Sequence, residues 1–146
     1  LYNEDALDVV NSTYRFTNCL LTYGNYIRYP KNQYTDLGTY PPNIVKNNSY
    51  RESGFIASHL RTFKYVLWKN IDRADLLDSS GQYYKMAWDM AFMFPMLEMA
   101  NGRFVNIKKP LYVYNDDNPL NDHKLDRGFQ LSLDKEIRKK DKYTPL

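Results

Sequence analysis

Residues 88–100 read Trp-Asp-Met-Ala-Phe-Met-Phe-Pro-Met-Leu-Glu-Met-Ala, and no other stretch constrains the fold as strongly. Met86, Met90, Met93, Leu97 and Ala100 recur at three- and four-residue spacing, the mark of one buried helical face. The run falls well short of the roughly 18 apolar residues that span a bilayer, so it reads as a core helix starting near Lys85. Pro95 has no backbone donor and crowds the carbonyl four residues earlier, which predicts a kink or restart near Phe94. Gly102 stands where a helix closes in the left-handed conformation. A single acid, Asp89, heads the segment. Gly81, in the turn signal Asp78-Ser79-Ser80-Gly81, precedes it.

The flanking chain alternates helix and strand. Residues 3–16 offer Asn3 or Asp5 as N-cap, then Leu7, Val10 and Tyr14 at helical spacing. Residues 20–29, rich in aromatic and β-branched side chains, read as a strand that stops at Pro30. Residues 31–50 hold proline, asparagine and glycine without a sustained period. A loop of that length is usually functional or mobile. Its Tyr34, Tyr40 and Tyr50 either stack on a sugar ring or pin the loop to the core. Residues 62–70 read as a helix burying Phe63, Val66 and Leu67. Residues 103–114, interrupted by Pro110, read as two short strands or one interrupted edge strand. The sum is an α/β chain.

Composition removes several classes of function. A chain of 146 residues with 43% hydrophobic content buries a core and is most simply one domain. The net charge is only +3, and the excess gathers at Lys135, Arg138, Lys139, Lys140 and Lys142. No basic stripe crosses the body, so a nucleic-acid partner is not expected. One cysteine, Cys19, excludes a disulfide framework and a multi-cysteine zinc site, and its neighbours Leu20 and Leu21 predict a buried thiol. No membrane-spanning run and no signal peptide is visible, which favours a cytoplasmic compartment.

Asp89 is the leading candidate for chemistry. A base that takes a proton from a hydroxyl must be ionised near neutrality, and an aspartate at a helix start meets that condition. An aspartate that only caps its helix explains the same pattern. His59, beside Arg61, suits a phosphate or an acceptor hydroxyl, or a structural hydrogen bond. His123 sits in the polar run Asn118-Pro119-Leu120-Asn121-Asp122-His123-Lys124. That run offers a metal ligand without a complete set.

Taken together, these residues resemble the second half of a family 2 glycosyltransferase of the GT-A fold. Ser80-Gly81-Gln82 is similar to the family's glycine loop. Trp88-Asp89 resembles its acidic pair, with tryptophan where glutamate is common. His123 resembles its C-terminal histidine. Pro110-Leu111-Tyr112-Val113-Tyr114-Asn115 is similar to the strand that follows the acidic pair, and His59-Leu60-Arg61-Thr62-Phe63 to a segment before the acceptor region. The family's Asp-x-Asp metal motif is absent. It precedes a helix like residues 3–16, so the resemblance puts it upstream of Leu1, and this chain would be a piece of the whole domain.

The resemblance implies a partial GT-A domain, a mixed sheet flanked by helices. Residues 1–124 would be its acceptor-side, catalytic-base half, and residues 125–146 a basic, helical extension. It implies inverting transfer of a sugar from a nucleotide-sugar donor to a glycan or other hydroxyl acceptor, with Asp89 as general base. Gly81 would let backbone approach a substrate, Trp88 would wall a sugar face, and His59 and Arg61 would touch substrate. Mn²⁺ or Mg²⁺ would be held by His123 and mostly by residues upstream. The rival is a non-catalytic, tyrosine-rich module that binds glycan or protein, drawing on 14 tyrosines.

Overall fold

The computed structural model describes the backbone of residues 1–146 and every side chain except that of His123. Its elements are α1 (Ala6–Phe16), β1 (Leu21–Tyr29), β2 (Gln33–Thr35), α2 (Pro42–Lys46), β3 (Thr62–Phe63), α3 (Tyr65–Lys69), a 3-10 turn (Arg73–Leu76), α4 (Trp88–Ala100), β4 (Phe104–Asn115), α5 (Asp122–Leu125) and α6 (Arg127–Arg138). They form an α/β structure with an open, mixed sheet of four strands flanked by helices. Among the described residues, no helix is long and apolar enough to cross a membrane.

β1 is the centre of the sheet. It runs parallel to β4 from Leu21↔Phe104 to Tyr29↔Asn115. That pairing occupies one whole edge of β1, so its two antiparallel partners share the other. β3 takes the start at Leu21↔Phe63, and β2 takes the end at Arg28↔Gln33. β4 is one strand, with a register shift between Gly24 and Tyr26 that leaves residues 108–111 as a bulge. Pro110 lies in that bulge, where the ladder needs no donor. Buried Asn25 sits opposite and donates from Nδ2 to the Tyr34 hydroxyl (2.9 Å) and the Lys108 carbonyl (3.4 Å).

Each face of the sheet carries its own cluster. Leu21 and Tyr23 pack with α4, with the buried tyrosines Tyr40 and Tyr50, and with Leu133 and Ile137 of α6. Ile107 and Leu111 pack against Ala6 and Val10 of α1. Tyr40 and Tyr50 meet edge-on at 5.0 Å, so these two loop tyrosines pin residues 31–50 to the core. Burial pushes their phenols up to about 12. Cys19 is buried as well.

α4 is the main point at which the sequence expectation fails. It continues through Pro95 without a break, starting at Trp88 rather than near Lys85. Met93, Phe94, Met96 and Leu97 are all fully buried, on every side of the helix. Burying each such side chain is worth about 1.5–3 kcal/mol, which together outweighs the roughly 3 kcal/mol that an interior proline costs. The helix ends in two successive left-handed residues, Asn101 and Gly102. At the other end its N-cap, Ala87, is also left-handed at φ 55°.

Two further expectations are corrected. Residues 62–70 are not one helix: Thr62 and Phe63 are recruited by the edge of β1, and α3 begins only at Tyr65. Of its expected buried face only Leu67 is buried, while Phe63 and Val66 are exposed. In α1 the buried residues are Ala6 and Val10, and Leu7 points to solvent.

Buried charge locks the helices together. Glu98 of α4 is 1% exposed and accepts from Arg51 Nε (2.6 Å) and Nη2 (2.9 Å). Arg51 also donates from Nη1 to the Ile137 carbonyl at 2.7 Å, and the Tyr143 amide donates to Glu98 Oε2 at 3.1 Å. Arg138 donates to the Arg51 and Ser53 carbonyls at 2.6 and 2.7 Å. One ion pair thereby ties α4, residues 51–53, α6 and the C-terminal segment.

Candidate functional site

The segment between α2 and β3 lies across the edge of β1. The Gly24 amide donates to the Ser58 carbonyl at 3.3 Å. A β-carbon on Gly24 would sit 3.3 Å from the carbonyl oxygens of both His59 and Ile107. Glycine lets residues 58–60 approach the strand this closely, since a β-carbon would require the backbone on both sides to give by a few tenths of an ångström. This sets the height of His59 over the sheet, where its ring stacks on Tyr112 at 4.6 Å and 21°. Tyr114 lies 6.0 Å from the same ring.

Two residues on, Arg61 donates from Nε to the Ala57 carbonyl at 2.7 Å and lies over the Phe55 ring at 5.6 Å. These contacts aim its guanidinium at α4. Its Nη2 is 2.8 Å from Asp89 Oδ2. Asp89 occupies the first turn of α4, where the free amides and the dipole favour a carboxylate. Its Oδ1 accepts from the Met90 amide at 3.0 Å. The Asp89 side chain is partly exposed, and each carboxylate oxygen keeps a lone-pair site for another donor.

His59, Arg61, Trp88 and Asp89 line one cavity of about 270 Å³, completed by Tyr114, Leu120, Asn121, Asp122 and Gln130. It opens beside the C-terminal end of β4, next to parallel β1, which is where open α/β sheets bind ligands. Burial first, and then the neighbouring Arg61 charge, push His59 down to about 4. The imidazole is therefore neutral at pH 7, one nitrogen donating and the other accepting. Burial, and then Asp116, raise the Tyr114 phenol, which stays protonated. The cavity thus holds a fixed cation–carboxylate pair, a neutral imidazole, a phenol and amides. That set can orient a hydroxyl and take up its proton.

Two candidates stand apart from this group. Gly81 adopts φ +78° in the Asp78 turn, where its amide donates to the Asp78 carbonyl at 2.9 Å. That turn borders a different cavity, between residues 78–85 and α6. His123 lies on α5, and its side chain falls outside the described residues. No three His, Cys, Asp or Glu side chains converge to hold a metal ion among the described residues. Within the cavity, the oxygen donors outside the Arg61 pair include Asp122 and Asn121, so the donor set is partial.

No family model, curated protein or solved structure matches this chain. Functional inference therefore rests on the cavity itself. Sequence reasoning did not reach Tyr114 or Gln130. Tyr114 is brought in by the return of β4 and carried no local signal beyond its strand. Gln130, on the polar side of α6, carried none.

Proposed function

We propose that this chain is the acceptor-side, catalytic-base half of an inverting glycosyltransferase of the GT-A type. The observation that carries the proposal is the meeting of His59, Arg61, Trp88 and Asp89, from two separate stretches of sequence, in one cavity. The resemblance of those same stretches to family 2 enzymes points to the same chemistry.

Asp89 accepts the proton of the acceptor hydroxyl as its oxygen attacks the anomeric carbon of the donor sugar. The bond from that carbon to the diphosphate oxygen breaks, and the nucleoside diphosphate leaves with the electron pair. One displacement inverts the anomeric centre. Arg61 fixes the direction of the carboxylate, and Asp89 needs only the lone pair that faces the cavity. Neutral His59 hydrogen-bonds the incoming hydroxyl without adding positive charge beside the base. If bound, Mn²⁺ or Mg²⁺ would supply charge neutralisation for the leaving diphosphate, and of this chain's residues the resemblance assigns His123 to help hold it. General-base assistance of this kind is worth about 10²–10⁴ in rate.

The rival binding module loses part of its support, because Tyr23, Tyr40, Tyr50 and Tyr84 are core residues rather than a surface. A thermal-shift screen of nucleotide sugars with Mn²⁺ tests the proposal, on this chain and on a version extended upstream. Stabilisation of the extended version that EDTA abolishes supports the transferase. No response to any nucleotide sugar from either counts against it.

A further inference from the structure

α3 turns one apolar side chain inward and leaves the others outside. Leu67 is buried in the cluster around α4, while Tyr65 is 72% exposed, Val66 42% and Trp68 40%. Phe63, at the end of β3, stacks on Trp68 at 6.4 Å and 17°, and Phe92 backs the two rings at 6.2 and 6.1 Å. The result is an apolar shelf braced from behind, with its outer side in water. Lys64 and Lys69 bracket it. Both are exposed, and neither pairs with a carboxylate among the described residues. Lys64 lies over the Tyr14 ring at 6.0 Å, which brings the end of α1 alongside. Residues 53–71 contain no Asp or Glu, and neither do residues 9–35. The next acid, Asp72, turns back to cap the 3-10 turn, accepting from the Ala74 amide at 2.9 Å.

We propose that this face docks on the surface of an anionic phospholipid bilayer. Tyr65, Val66 and Trp68 enter the headgroup boundary, and Lys64 and Lys69 meet the phosphates and carboxylates of the lipid. The attachment is peripheral and needs no spanning helix. It stands independently of the transferase reading.

Three observations select a lipid surface. Tryptophan and tyrosine settle at the headgroup level of a bilayer, and lysine lays its stem along apolar surface while its ammonium reaches the phosphates. Lysine is depleted from protein–protein interfaces, so an apolar centre bracketed by two lysines suits a protein partner poorly. A nucleic acid needs cations that track its backbone, whereas here they stand around an aliphatic and aromatic centre. The charge is complementary as well, because the two acid-free segments that meet at this face offer nothing to repel anionic headgroups.

Co-sedimentation of the full chain with vesicles tests this, using phosphatidylcholine alone and equimolar phosphatidylcholine and phosphatidylserine. Binding should be at least about tenfold stronger with phosphatidylserine, and should weaken as salt is raised. Lys64→Gln and Lys69→Gln should each reduce it about fivefold, and Tyr65→Ser about tenfold. All three side chains are exposed, so these variants fold, which an unchanged thermal midpoint checks. The chain has two tryptophans. Emission should shift to the blue on binding in Trp88→Phe as in the original chain, and should not in Trp68→Phe. Absence of binding, equal binding to both vesicles, or binding that survives all three exposed-residue variants overturns the proposal. So does a dimer in sedimentation equilibrium, or binding to single-stranded RNA, that Tyr65→Ser abolishes while vesicles stay unbound.

Discussion

Replacing Glu98 by glutamine should unfold much of this protein's margin of stability. The Glu98 carboxylate is 1% exposed and receives two hydrogen bonds from Arg51 and one from the Tyr143 amide. A glutamine offers one acceptor oxygen where the carboxylate offers two, so one Arg51 N–H faces an NH₂ group. The guanidinium, also buried, keeps its charge and loses its counter-ion. Removing one partner of a buried pair costs about 3–5 kcal/mol. Domains of this size are stable by roughly 5–15 kcal/mol. The midpoint of thermal unfolding should fall by about 10 °C or more. Replacing both partners, as Arg51→Met with Glu98→Leu, should recover part of that loss, because no unpaired charge remains while the Ile137 carbonyl and the Tyr143 amide lose their partners. Urea denaturation of the two single variants and the double gives the coupling directly. A loss below about 1 kcal/mol in Glu98→Gln, or a double variant as unstable as the two singles summed, would refute the argument.

Three other consequences are open to the same kind of measurement. Gly24→Ala should destabilise by about 1–3 kcal/mol, because its β-carbon meets carbonyl oxygens on both sides. Amide shifts of residues 58–61 should move with it, and an unperturbed spectrum would contradict the close approach. At Ala87, held at φ 55°, a glycine should be nearly neutral while valine costs about 2 kcal/mol. Equal stability of the glycine and valine variants would remove the strain argument. His59 titrates near 6.5 when unfolded and about 4 when folded, so the unfolded chain binds the proton more readily. Its contribution to stability is therefore complete above pH 6.5 and is lost as pH falls toward 4. Thermal midpoints across that window should flatten in His59→Gln, and an unchanged slope would mean that His59 is not held neutral.

How far the sequence reaches can be judged residue by residue. β1 was legible because its aromatic and β-branched residues lie in one uninterrupted run ending at Pro30. α4 was legible as a core helix, but its passage through Pro95 was not, since that depends on neighbours packed on every side. β3 was invisible for a similar reason: Thr62 and Phe63 become a strand only because β1 presents a free edge. Glu98 is a charge inside an apolar helix, and burial there demands a partner. Its partner, Arg51, lies 47 residues away and has no local signature. In the candidate site, His59, Arg61, Trp88 and Asp89 carry local signals, whereas Tyr114 and Gln130 arrive through the return of β4 and the docking of α6.

The central claim is that Asp89 serves as the base at this cavity. The most direct measurement is nucleoside diphosphate release from a panel of nucleotide sugars with Mn²⁺, with and without a hydroxyl acceptor, by the version extended upstream and its Asp89→Asn variant. Both proteins should unfold within a few degrees of each other, since asparagine keeps a hydrogen bond to Arg61. The account predicts acceptor-dependent release that falls by at least about 100-fold in Asp89→Asn. Release at an undiminished rate in a folded Asp89→Asn variant would contradict it.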